Sequence, residues 1–87
     1  MSKIKKNMAL FFDLPQDVVL NFPTVLITGS EEIIIENHKG LIEYSKCSIR
    51  INTISGIIRI EGQNMLIKKM TTNYLKVLGK IKNVEYL

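Results

Sequence analysis

Tryptophan is absent from the 87 residues, and histidine and cysteine occur once each, as His38 and Cys47. A lone cysteine has no intramolecular disulfide partner, which excludes the stapled secreted scaffolds and fits a reducing compartment. One His and one Cys also fall short of the ligands that structural or catalytic zinc requires, so no metal is expected. The glycines Gly29, Gly40, Gly56, Gly62 and Gly79 are dispersed, with neither a GxGxxG nor a Walker spacing. They read as turn residues, and no cofactor is expected. Long apolar runs are missing too. Met8 to Phe12 is interrupted at Asp13, short of a signal-peptide core of roughly 7–15 residues and far short of a span of ~20. The expectation is a soluble or peripheral protein. The three lysines before that run, Lys3, Lys5 and Lys6, would hold an anionic membrane only marginally at ~1 kcal/mol each.

What the sequence has in abundance is isoleucine. Fourteen of the residues are Ile, and a β-branched excess favours strands. A length of 87 residues bounds the chain to one domain with a small core, for which oligomerisation would help. Net charge is +4, but the ten lysines are spread along the chain, as expected of a solvated surface.

Residues 1–23 read as a lead-in, with Asp13–Asp17 able to start a helical turn around an early Pro15. From Thr24 onward short strands alternate with Gly, Asn and Ser: TVLIT, EIIIE, LIEYS, SIRINT, GIIRIE, MLIKK, YLKVLGKI and VEYL. Successive antiparallel hairpins turning at 37–40, 46–47, 53–56 and 62–63 would align Ile35, Ile42, Ile51, Ile58 and Ile67 in one row. Ile33, Tyr44, Ile49, Ile60 and Met65 would form the next. All ten are apolar, and because a one-residue slip would turn every side chain to the other face, the agreement constrains the register. The fold class expected is all-β: a small antiparallel meander closing as a sandwich or partly open barrel over residues 24–87. A β-solenoid is the alternative, since Ile35, Ile51 and Ile67 recur every 16 residues.

His38 and Cys47 do not make a catalytic pair in this scheme. A nucleophilic pair needs about 3 Å, and the two would lie at opposite ends of a strand, roughly 17 Å apart. Asn37 and Gly40 suit the ends of a tight hairpin turn, which would leave His38 and Lys39 projecting from its tip. Gly56 and Gly62 would serve the next turns. The same register sets the only two arginines, Arg50 and Arg59, opposite each other with Glu43 alongside. Arginine suits bidentate recognition of anions, so Arg50, Arg59, Glu43, His38 and Lys39 form the candidate partner-interaction set. No catalytic residue is expected. Nucleic-acid binding, the alternative function, would need stacking aromatics among the basic residues, and the face opposite the isoleucine rows, which carries Glu43, Arg50, Arg59 and Lys68, has none.

Residues 14 to about 86, and above all Leu14-Pro15, Asp17-Val18-Val19 and the Glu36-Asn37-His38-Lys39-Gly40 stretch followed by Glu43-Tyr44, resemble the YabP/YqfC family of bacterial sporulation proteins, its YqfC branch in particular. The resemblance implies a small non-enzymatic protein made in the mother cell of an endospore former. It also implies work beside a larger membrane-associated partner, and it carries over no catalytic residue. The expected role is an assembly or adaptor module, with homo-oligomerisation through exposed strand edges.

Overall fold

The computed structural model describes residues 21–87; the lysines and apolar run of the expected lead-in lie outside that range. Six strands follow one another: β1 (Thr24–Thr28), β2 (Glu32–Glu36), β3 (Gly40–Tyr44), β4 (Ser48–Thr53), β5 (Gly56–Met70) and β6 (Tyr74–Tyr86). They form one open sheet in the order β1-β2-β6-β5-β4-β3. Every neighbouring pair is antiparallel. The all-β antiparallel expectation holds, and the solenoid alternative, which needs parallel neighbours, does not.

Two departures from the simple meander shape the molecule. The chain does not turn at 62–63: β5 continues for 15 residues and pairs along its length with the 13 residues of β6. Nor is 37–40 a hairpin, because β2 pairs with β6, Ile33 opposite Val77 and Ile35 opposite Leu75. The 37–39 link instead carries the chain from β2 to the far end of the sheet.

The long hairpin is bent, and each half of it carries a different flank. The half near the 71–73 turn bears β2 and β1; the other half bears β4 and β3. Ile33 and Ile35 of β2 nevertheless share a buried cluster with Ile49 and Ile51 of β4. Three strand spacings, roughly 14 Å, would separate them on a flat sheet, so the sheet is folded over its own core. Ile58, Ile60, Met65, Leu75, Val77 and Ile81 complete that cluster.

Glycine permits the bend. A Cβ on Gly62 would lie 2.2 Å from the backbone oxygen of Lys80, and one on Gly79 would lie 2.7 Å from the Cα of Met65. The two crossing strands therefore touch backbone to backbone, which only glycine allows. Both short hairpins dock on this corner. Gly62 N–H donates to Cys47 O and Met65 N–H to Lys46 O, while Gly79 N–H donates to Glu31 O and Ile81 N–H to Ser30 O. Gly62 is thus a close-approach residue inside a strand, and the expectation of a turn there is corrected.

Between β4 and β5 the register is the expected one, with Ile49 opposite Ile60 and Ile51 opposite Ile58. Between β3 and β4 a bulge at Leu41–Glu43 inserts one residue. Leu41 takes the place opposite Ile51 and packs on the core, and Ile42, expected inside, is about half exposed.

Candidate functional site

The outer face of the β3–β6 half carries one row of charge. Glu43 lies opposite Arg50, Arg50 opposite Arg59, and Arg59 opposite Glu85. Two like charges on neighbouring strands repel, and the row answers this by ending on a carboxylate at each side. Arg50 Nε donates to Glu43 Oε1 at 2.9 Å. Arg59 pairs through its terminal Nη2 with Glu85 Oε1, and its Nε lies 3.9 Å from Glu61 Oε2. The hydrogen bond that Arg59 donates to Glu85 raises the guanidinium above its ordinary pKa, with the charges of Glu85, Glu61 and Glu43 acting in the same direction and desolvation opposing them. Arg59 Nε is itself shielded from solvent and makes no hydrogen bond.

These side chains remain about a third to a half exposed, so the row presents a flat pattern of minus, plus, plus, minus. Such exposed pairs contribute little to stability, because water and salt screen them. Chemically the row can receive an anionic group between the arginines only by displacing carboxylates already there, which favours a partner of matching alternation over a simple phosphate.

His38 is placed elsewhere. It is 2% exposed, and the expectation of a side chain projecting from a hairpin tip is corrected. Gly40 N–H donates to its Nδ1 at 2.9 Å, which leaves the ring proton on Nε2, facing Thr71 O at 3.2 Å. One neutral imidazole therefore ties the crossover link to the β5–β6 turn. Its neighbours reinforce the tie: Asn37 N–H donates to Asn73 O and Lys39 N–H to Asn52 O, both at 2.7 Å. The link stitches the two halves of the folded sheet, with Asn37 (φ 66°) in the left-handed region and Gly40 at φ 129°. Lys39, on the same link, is exposed.

Gly56 sits at the β4–β5 corner with φ 121°, where the Thr53 hydroxyl donates to Gly56 O at 2.6 Å and accepts from Ser55 N–H at 3.0 Å. Cys47 is exposed in the β3–β4 turn, at the other end of β3 from His38. Among the described residues no group of three His, Cys, Asp or Glu side chains gathers as a metal site would require. No helix among them is long and apolar enough to cross a membrane.

Of the sequence-derived set, then, the structure brings together Glu43, Arg50 and Arg59, and separates His38 and Lys39 from them. Glu85 belongs to the row and was not foreseen, because its place depends on the register of β6 across the bend. The profile of the YabP family matches residues 22–87, the whole of the described sheet. The chain belongs to the YabP family. It is also 29% identical over 86 residues to the uncharacterized protein YqfC of Bacillus subtilis, covering 99% of this chain and 92% of that protein.

Proposed function

We propose that this member of the YabP family is a non-enzymatic assembly or adaptor module of endospore formation. In this reading it acts in the mother cell beside a larger membrane-associated partner, with peripheral contact at the membrane that faces the forespore. The observation that carries the reading is the open sheet itself. Among the described residues it ends on two edge strands, β1 and β3, with Leu26 and Ile27 exposed on the first and Ile42 and Tyr44 on the second; the charged row of Glu43, Arg50, Arg59 and Glu85 starts on β3. Unpaired strand edges take up further strands, and an alternating charge row gives such docking its orientation and partner choice.

The reading is supported by family membership and by the burial of His38, which removes the one histidine from surface chemistry. The test is a pull-down of a tagged chain from sporulating cells, repeated with Arg50→Ala plus Arg59→Ala, together with imaging of the tagged protein. The expected result is a membrane-associated partner whose recovery drops several-fold with the double variant. Unchanged recovery removes the charge row from the docking surface. A strictly monomeric chain that binds RNA in a salt-dependent way would overturn the adaptor reading altogether.

A further inference from the structure

Folding the sheet over leaves four unpaired strand flanks among the described residues: β1, β3, residues 66–70 of β5 and residues 82–86 of β6. Proteins blunt such flanks with charges and bulges, because a bare one pairs with any compatible strand. Three of the four are blunted. β3 carries the Leu41–Glu43 bulge and Glu43 itself; the β5 flank carries Lys68 and Lys69; the β6 flank carries Lys82 and Glu85. β1, Thr-Val-Leu-Ile-Thr, has no charge, no proline and no bulge.

The β1 strand is also chemically symmetric about its centre. Run antiparallel to itself around Leu26, it sets Thr24 against Thr28, Val25 against Ile27, and Leu26 against its own counterpart. Hydroxyl faces hydroxyl, β-branched faces β-branched, and no like charges meet, the cross-strand pairs that sheets favour. Leu26 is 39% and Ile27 46% exposed in the single chain, and the pairing sets Val25 of a second copy beside Ile27. A two-fold arrangement of this kind closes on itself, whereas joining β1 to the bulged, acidic β3 edge would be poorly matched and open-ended.

We infer that the β1 edge is a homodimerisation site, in which two copies join β1 to β1 antiparallel around Leu26 to give a continuous twelve-stranded sheet. The inference deepens the assembly-module reading by naming a second copy of this chain as one occupant of its open edge. Five paired residues a side make a contact at the small end of specific interfaces, under about 1,200 Å2, so the dimer is concentration-dependent rather than obligate.

The full chain is to be measured by size exclusion with light scattering from about 1 µM to about 1 mM, beside Leu26→Lys and Ile42→Lys. Both substitutions lie at exposed edge positions. The mass of the unaltered chain rises from monomer toward dimer. Leu26→Lys, which brings two ammonium groups together at the axis, weakens association at least tenfold, and Ile42→Lys leaves it unchanged. A chain monomeric at every concentration, or a Leu26→Lys variant that associates like the original, overturns the inference.

Cross-linking fixes the register in a Cys47→Ser background. Leu26→Cys sits roughly 4.5–5.5 Å from its counterpart by Cα, within disulfide reach. Thr24→Cys lies about 14 Å from its own counterpart. Rapid covalent dimers for Leu26→Cys alone support the site, and none, or equal rates for both, overturn it. A monomeric chain that still captures a membrane-associated protein would sink this inference and leave the adaptor reading standing. A dimer that captures no protein would do the reverse.

Discussion

Replacing Gly79 by alanine tests the bend on which the whole fold turns. The added Cβ would meet the Met65 Cα at 2.7 Å and Asn64 O at 2.9 Å, backbone atoms that cannot rotate away. Gly79 also has φ 148°, a region that L side chains rarely adopt and that costs roughly 1–3 kcal/mol. Overpacking adds about 1–3 kcal/mol, so a loss near 3 kcal/mol is expected. A chain of this size has roughly 4–13 kcal/mol in total, and the melting midpoint should fall by about 12 °C or more. Gly29→Ala is the matched control: φ is 55°, yet nothing lies within 4 Å of its added Cβ, so only the conformational cost of about 1–2 kcal/mol remains. Gly62→Ala isolates the other half of the effect. Its backbone is not in the left-handed region, and the clash with Lys80 O at 2.2 Å should cost about 3 kcal/mol, the upper end of overpacking. Urea titrations of the three variants supply the free energies. If Gly79→Ala is no more destabilised than Gly29→Ala, the two strands do not cross where the bend requires and the reasoning fails.

His38→Ala removes the ring that satisfies Gly40 N–H and Thr71 O in a buried site. A loss of about 3 kcal/mol is expected from the two stranded groups, against under about 0.5 kcal/mol for the exposed Lys39→Ala, both read by thermal melts. In the core, Ile51→Ala should cost about 3–4 kcal/mol. The bulge-displaced Ile42→Ala should cost under about 1 kcal/mol, and equal losses in denaturant titrations would refute the bulge. Glu85→Lys sets a third positive charge beside Arg59, a destabilisation of about 1 kcal/mol. Because the row is exposed, that loss should shrink between low salt and about 0.5 M when the melts are compared.

The core of one half was legible because its register is fixed locally. Thr53-Ile54-Ser55-Gly56 closes β4 on β5 through the Thr53 hydroxyl, and once that corner is set, the alternation of Ile49 and Ile51 against Ile58 and Ile60 follows. The crossover from β2 was not legible for the converse reason. Alternating isoleucines in β2 satisfy β3 and β6 equally well, and Asn37 and Gly40 both adopt positive φ, as they also would in a hairpin. What decides is the pairing of Leu75 and Val77 with β2, a contact between segments some forty residues apart. Gly79, expected as a turn residue, lies instead inside β6, and a glycine inside a strand marks a bend or a close backbone approach.

The charge row shows the same division at the level of function. Arg50, Arg59 and Glu43 belong to strands joined by short turns, so their opposition can be worked out from spacing. Glu61, two residues beyond Arg59 on the same strand, is the acid that local spacing sets nearest to it. The structure gives that place to Glu85, with Glu61 at the longer 3.9 Å. Glu85 reaches Arg59 only because β6 passes the Gly62–Gly79 corner and returns along β5, with three register shifts between their paired ends. The end of the charged row is therefore set by the bend and not by local sequence. A substitution at Gly79 that loosened the corner without unfolding the chain would be expected to release Glu85 from Arg59, coupling the stability of the fold to the pattern the surface presents.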